Sequence, residues 1–259
     1  MAAHTEPALL CLWERRTFYL GPLTEPLQLS QSAATLVVSL GAALDFECDG
    51  QRVTSRSALL PSGVELRMEP HGQTVAVCYL DAFGEDFSRL STLFESRQKG
   101  LLSHARNEEF LIARLRGLQQ NCPDSAAAAE LLEQLINPLH LTQSPHRTDP
   151  RIVRTVELIK CDVSSNLTAE FLAQQAGLSV PRLTQLFRES LGIPIRRYRQ
   201  WHRLFVAAKL VAKGMSLTSA SIEAGFADSS HFCNTFRSII GMKPTAIFGN
   251  PGHIRLFTD

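Results

Sequence analysis

The sequence predicts an α+β protein of two domains: a small β-barrel with a helical hairpin, followed by an all-α domain. Three observations support this class. The chain has 259 residues, enough for two packed cores. Short extended runs fill residues 34–81, whereas helical patterns with an internal repeat fill the second half. The first half is acidic and the second half is basic.

The composition excludes several classes of protein. With 44% hydrophobic and 20% charged residues, the chain is typical of a globular protein and not of a disordered or fibrous one. No apolar run approaches the roughly 18 residues of a membrane span, and residues 1–14 lack a secretory signal. We therefore expect a cytoplasmic protein without membrane association. The 6 cysteines are widely spaced, which argues against a zinc ribbon or a disulfide scaffold.

The charge separates the two halves. Residues 1–144 contain 11 basic and 17 acidic residues, and residues 145–259 contain 15 basic and 8 acidic ones. Most of the basic residues in the second half are arginines, which suit phosphate groups and guanine edges. This asymmetry indicates a polyanionic partner for the second half alone.

The first half predicts a compact antiparallel barrel or sandwich. Turn signals such as Asp49-Gly50 and His71-Gly72 separate its extended runs. The predicted strands are 34–40, 43–47, 53–60, 64–68 and 74–80. Leucines at helical spacing then predict a hairpin of two helices, 101–120 and 125–136.

A barrel mouth suits a small ligand, but no residue cluster identifies one. Metal chemistry would need converging histidines and a carboxylate, and the strand region contains only His71, preceded by Glu65 and Glu69. We therefore predict no metal site and no cofactor. No catalytic motif or phosphate-binding glycine loop is evident, so the chain is predicted not to be an enzyme and to have no catalytic residues.

The second half contains a repeat of about 49 residues, in which the segment 187–192 matches the segment 236–241. Each copy predicts a helix-turn-helix, with helix caps and a turn glycine in equivalent places. The capping and turn residues are Thr168, Gly177, Ser179 and Gly192 in the first copy, and Thr218, Gly225, Asp228 and Gly241 in the second.

The second helix of each copy presents a polar side to solvent. In the first copy Leu183, Leu186 and Phe187 face inward at helical spacing. The outward side of such a helix is the one that enters a major groove. The predicted base-contacting residues are Pro181, Arg182, Thr184, Gln185, Ser230, His231, Cys233 and Asn234. For His231, helix capping or packing is an open alternative.

A helix over residues 195–213 connects the copies and spans roughly 28 Å, close to the roughly 34 Å of one DNA turn. Such a rod could present both reading helices to successive major grooves. The predicted phosphate-contacting residues are Arg188, Arg196, Arg197, Arg199 and Arg237. The alternative for the arginines of the connecting helix is an ordinary solvated basic face.

Residues 150–250, about 40% of the chain, resemble the DNA-binding domain of the AraC/XylS family of bacterial transcription regulators. The similarity rests on residues at matching positions in both copies and in the connecting helix. They are Leu172-Ala173, Gly177-Leu178-Ser179, Leu183, Phe187-Arg188, Gly192, Arg203-Leu204, Ala207, Gly225-Phe226, Phe232, Phe236-Arg237, Gly241 and Pro244. Two such units in tandem are far more specific than one. The chain departs from the family pattern at Ala220, Ser221 and Glu223, which suggests weaker base readout by the second unit.

The resemblance implies a cupin-like sensor and dimerisation domain over 1–137, a linker over 138–149, the DNA-binding domain and a tail over 251–259. It also implies binding to double-stranded promoter DNA and activation through RNA polymerase. A small-molecule effector and a homodimer through helices 101–120 and 125–136 are further implications. The function expected is therefore a sequence-specific transcription regulator, most simply an activator.

Two alternatives remain open. A thiol switch would use Cys11, Cys48, Cys78 or Cys122, although cationic neighbours that would activate a thiol are evident only near Cys11. A cupin-type enzyme with an appended DNA-binding module would need the metal ligands that the strand region lacks.

Overall fold

The first half of the chain is built mainly of strands. The structure, a computed structural model, describes residues 7–30, 33–98, 100–121, 124–138, 149–165, 167–248 and 254–258. Within these ranges the strands are β1 (Ala8–Leu12), β2 (Arg16–Pro22), β3 (Leu27–Ser30), β4 (Ala34–Ser39), β5 (Leu44–Cys48), β6 (Gln51–Ser55), β7 (Ser57–Leu60), β8 (Glu65–Glu69), β9 (Thr74–Leu80), β10 (Phe94–Gln98), β11 (Leu101–Ala105) and β12 (Ile254–Thr258).

The strands form two sheets. The larger has the order β10-β11-β7-β4-β9-β2-β1-β12, and the smaller has the order β3-β8-β5-β6. Neighbours in these sheets are antiparallel except β1 and β12, which are parallel. The five predicted strands are confirmed, with the run 53–60 divided into β6 and β7 at Arg56.

Both faces of the larger sheet are covered. Alternate residues of its central strands enter an inner and an outer core, so Val37 and Val77 lie inside whereas Leu36 and Cys78 lie outside. Burial of each such aliphatic side chain is worth about 1.5–3 kcal/mol. The inner core fills the space between the two sheets and continues into the second half of the chain.

Three helices cover the outer face: α1 (Asp86–Ser91), α2 (Glu108–Gln120) and α3 (Ser125–Ile136). The predicted helix over 125–136 is confirmed, but the prediction of helix over 101–107 was wrong. Residues 101–105 form β11, which pairs with β10 and β7. Leu101 enters the inner core and Leu102 the outer one, an alternation that a strand satisfies and a helix does not.

The second half is helical. Its elements are α4 (Pro150–Cys161), α5 (Ala169–Gln175), α6 (Val180–Leu191), α7 (Ile195–Ala212), α8 (Leu217–Glu223), α9 (Ser229–Ile240) and α10 (Pro244–Phe248). A separate core joins α4, α5, α6 and the start of α7. By contrast, the core of α8, α9 and the rest of α7 is continuous with the inner core of the sheets.

Polar contacts fasten the two halves together. Asp81, after β9, accepts hydrogen bonds from Lys160 Nζ at 3.0 Å and from the Tyr198 hydroxyl at 3.4 Å. The Tyr79 hydroxyl donates to the Ile240 carbonyl at 2.6 Å. On the first unit, Ser62 Oγ donates to the Leu191 carbonyl at 2.8 Å.

The predicted linker falls mainly on 139–148, outside the described residues. Within the predicted tail, residues 254–258 form β12 and extend the larger sheet beside β1. No helix in the described part of the chain is long and apolar enough to cross a membrane.

Candidate DNA-binding surface

The first helix-turn-helix forms where its local signals place it. Thr168 caps α5 by accepting from Phe171 N, and Ser179 caps α6 by accepting from Arg182 N. Gly177 in the turn has φ +65°, a left-handed conformation that favours glycine. Gly192 ends α6 in the same region, with φ +76°.

The α6 helix presents a continuous polar side. Leu183 and Phe187 are fully buried, and Phe187 packs edge to face on Tyr198 with ring centroids 5.8 Å apart. The predicted contact residues of this helix are all exposed: Pro181, Arg182, Thr184, Gln185 and Arg188.

Two of these residues, Arg182 and Gln185, are hydrogen-bonded to each other. Arg182 Nη1 donates to Gln185 Oε1 at 3.2 Å, and Gln185 Nε2 donates to Glu189 Oε1 at 2.8 Å. Glu189 was not among the predicted contact residues, although its place four residues after Gln185 on the helix makes the contact foreseeable. Contact of the Gln185 amide with a base would require it to give up the hydrogen bond to Glu189.

The second unit repeats the geometry with one difference. Asp228 caps α9 by accepting from His231 N at 2.7 Å, and Gly225 and Gly241 have positive φ. The prediction that Thr218 caps α8 was wrong, because Ser216 caps this helix by accepting from Ser219 N. The serine lies one residue before the helix, where its oxygen can reach the free N–H groups, whereas residue 218 is inside it.

The predicted contact residues of α9 differ in exposure. Ser230, His231, Asn234 and Arg237 are exposed. Cys233 is half-buried and packs against the inner core, so its thiol is less accessible than the sequence suggested. The His231 ring also packs edge to face on Phe226, with centroids 5.4 Å apart.

The arginines of α7 divide into two sets. Arg196 is exposed and Arg197 is half-buried. Arg199 instead donates to the carbonyls of Leu167 at 2.7 Å and Ser165 at 3.2 Å.

Arg203 behaves like Arg199. It donates to the carbonyls of Val163 at 3.1 Å and Ser165 at 3.4 Å. Burial lowers the pKa of both guanidinium groups from their ordinary values, with Arg199 adding to the effect on Arg203. These side chains therefore tie the segment before α5 to the connecting helix.

A basic cleft of about 610 Å³ lies between α7, the segment before α5 and the turn that leads into α9. Arg196 and Gln200 of α7 form one wall, and His231 of α9 lies opposite. Gln200 was not among the predicted contact residues, because an isolated glutamine carries no sequence signal. Its position in this cleft suits hydrogen bonding to a phosphate oxygen.

The structure weakens the thiol alternative. Cys11, Cys48 and Cys78 are buried, and Cys122 lies outside the described residues. Burial raises the pKa of the Cys78 thiol to about 12 and also raises that of Cys48. A reactive thiol needs the opposite shift.

Metal chemistry also lacks a site among the described residues. His71 lies in a turn with φ +51°, and no three His, Cys, Asp or Glu side chains in that part of the chain converge to hold a metal ion.

Known proteins are similar to part of this chain. A helix-turn-helix domain model matches residues 172–250. The arabinose operon regulatory protein of Escherichia coli is 30% identical over 123 residues, which cover 46% of this chain and 42% of that protein. The Msm operon regulatory protein of Streptococcus mutans is 25% identical over 170 residues, or 65% of this chain and 56% of that protein. The chain thus spans about half the length of these curated relatives.

Solved structures share most of this fold. An apo form of ToxT from Vibrio cholerae superposes with a TM-score of 0.58 at 14% identity, covering 90% of this chain and 96% of ToxT. ToxT with a bound unsaturated fatty acid gives 0.55 at 14% identity, covering 90% and 94%. The domain match and the similarity to operon regulators agree with the resemblance of residues 150–250 to the AraC/XylS family, and ToxT has a similar fold.

Proposed function

We propose that this protein is a sequence-specific DNA-binding transcription regulator. The observation that carries the proposal is the pair of helix-turn-helix units, each with exposed polar residues on its second helix, joined by the single helix α7. The 18 residues of α7 extend about 27 Å, close to the roughly 34 Å between successive major grooves on one face of DNA.

The proposal assigns sensing and dimerisation to residues 1–137 and DNA binding to residues 150–250. An apolar contact zone between these parts supports control by a small apolar effector, and so does the unsaturated fatty acid bound to ToxT in one of the similar structures. Tyr79, Trp201 and Phe236 line this zone, and its cavity is only about 20 Å³. Side chains must therefore move to admit a ligand, and calorimetric titration with fatty acids tests this.

We assign a homodimer interface to the outer helices α2 and α3. The observation that supports it is that the large apolar side chain of Phe110 on α2 is 60% exposed. Sedimentation at micromolar concentration tests this assembly. The proposal also includes activation through RNA polymerase, the absence of catalysis and a cytoplasmic location. They rest on the family resemblance.

Base readout predicts a sequence-dependent loss on changing Arg182 or Gln185. Either change to Ala should cost about 1–3 kcal/mol at one operator position and relax specificity there, because a bidentate contact to a base edge is lost. Fluorescence anisotropy with operator variants and random duplexes measures this. A loss of equal size on operator and random DNA would contradict direct readout.

The two sets of α7 arginines predict different outcomes. Arg196→Ala should leave folding unchanged, weaken binding to all sequences and reduce the salt slope by about 1. Arg199→Ala should lower the free energy of unfolding by about 1.5–3 kcal/mol, because two carbonyls lose a charged donor. Salt titrations and urea unfolding separate the two effects. Equal stability of both variants would argue against the structural role of Arg199.

A further inference from the structure

The second helix-turn-helix is held against the sensor sheets on several sides. Its Ile240 carbonyl accepts the buried Tyr79 hydroxyl, and Lys243 Nζ lies 3.0 Å from Glu25 Oε1. Its core is continuous with the inner core of the sheets. The first unit has a separate core of its own.

Strand β12 also contributes to the interface between the second helix-turn-helix and the sheets. It pairs with β1 in parallel from Ala8 with Ile254 to Leu12 with Thr258, and it also lies against α7. Ile254 and Leu256 pack on the core shared with the second unit, whereas Phe257 packs on the outer core. This alternation shows that the strand is seated by its side chains as well as by its backbone.

The fastened arrangement restricts access to α9. Strand β3 lies against this helix, and Asn234 and Arg237 face a groove whose other wall includes Glu25 and Glu65. A reading helix must insert into a DNA groove about 8.5 Å deep. The sheet beside α9 therefore occupies space that the DNA backbone needs, and the pairing of Glu25 with Lys243 keeps a basic side chain from phosphate.

The pairing of β12 is suited to release. It is an edge strand with β1 as its neighbour on one side, and all five of its residues are half-buried. Parallel pairing is also slightly weaker per residue than antiparallel pairing. Separation of such a strand leaves the rest of the sheet intact.

We propose that residues 254–258 form a releasable strap that holds the second helix-turn-helix against the sensor sheet, in competition with DNA. This inference rests on the DNA binding proposed above and concerns its regulation. Release of the strap removes one of the attachments that keep α9 against β3, and so favours the arrangement in which both units read DNA together.

The full-length chain allows the strap to be locked by a disulfide. Cys11 lies opposite Phe257 in the register, and both contact the outer core. Phe257→Cys therefore places two thiols on one side of neighbouring strands, which are roughly 4.8 Å apart and within disulfide reach. Arg255→Cys, opposite Leu9, is the matched control that cannot form this bond.

The strap can also be released. Leu256→Asp removes an apolar contact with the inner core and should free the strand. We expect oxidised Phe257→Cys to bind operator DNA at least fivefold more weakly than its reduced form. Leu256→Asp should bind at least fivefold more tightly than wild type. Wild type and Arg255→Cys should bind operator DNA with the same affinity in their oxidised and reduced forms. Circular dichroism of each variant checks that it is folded.

The outcomes separate the two proposals. If wild type binds DNA and the locked protein binds equally well, the strap proposal is wrong and the proposed function stands. Failure of the Phe257→Cys protein to cross-link under oxidant contradicts the pairing on which the strap depends. If wild type, locked and released proteins all fail to bind DNA at low salt, the proposed function fails and the strap proposal fails with it.

Discussion

Changing Asp81 to Asn is expected to lower the free energy of unfolding by about 2–4 kcal/mol. The Asp81 side chain is 6% exposed and pairs with Lys160 Nζ at 3.0 Å. Removal of one partner of a buried ion pair costs about 3–5 kcal/mol, because the other charge stays buried without compensation. The expected loss is somewhat smaller here, since Lys160 keeps Glu14 at 3.5 Å and is 21% exposed.

Glu14→Gln is the matched control for Asp81→Asn. It removes the other carboxylate near Lys160, but Glu14 is 65% exposed, so a loss below about 1 kcal/mol is expected. Urea unfolding of both variants provides the comparison. Similar losses from the two changes would show that burial of Asp81 does not set its contribution.

Changing Arg16 to Ala is expected to destabilise the first domain by about 3–5 kcal/mol. Arg16 donates to both carboxylate oxygens of Asp86, at 2.6 and 2.9 Å, and to Glu133 Oε2 at 2.8 Å. It therefore joins β2 to α1 and α3. Burial opposes its charge, but the hydrogen bond and charge of Asp86 outweigh burial and raise the pKa of Arg16.

A paired replacement tests the origin of this loss. Arg16→Met combined with Asp86→Leu should recover most of the stability, because no buried charge is left without a partner. Arg67→Ala, which removes an exposed pair with Glu69, should change stability by less than about 1 kcal/mol. If the paired replacement is as unstable as Arg16→Ala, the uncompensated charge is not the cause.

The stability lost in the Arg16→Ala variant should also depend on pH. Burial opposes ionisation of Glu133, but its hydrogen bond to Arg16 outweighs burial and lowers the pKa of this carboxyl. The unfolded chain then binds more protons than the folded chain, so Glu133 contributes stability above its ordinary pKa that is lost as the pH falls through the folded value. The stability gap between wild type and Arg16→Ala should therefore narrow as the pH falls below the ordinary glutamate pKa of 4.5.

Local signals explain why the helical half was predictable. Ser179, Asp228, Gly192 and Gly241 act on helix ends within a few residues of themselves, and all four occupy their predicted places. The strands β1 and β2 were not predicted, because residues buried on both sheet faces show no alternation of apolar and polar side chains. The error at Leu101 has the same origin.

The site was predictable to the extent that it depends on helical periodicity. The spacing of Leu183 and Phe187 sets the outward side of α6, and the exposed residues agree with it. The role of Arg199 was not predictable, because its acceptor at Leu167 lies 32 residues away and is a backbone carbonyl. A sequence displays the charge of an arginine but not the fold that brings an acceptor to it.

The unequal cores of the two helix-turn-helix units have a consequence for biosynthesis. A ribosome delivers strands β1 to β11 before it delivers residues 217–240, and domains made first generally fold first. The first unit can then assemble on its own core, whereas the second condenses on a surface that already exists. In a nascent chain with defective sheets, the helices of the second unit would therefore have no surface on which to pack.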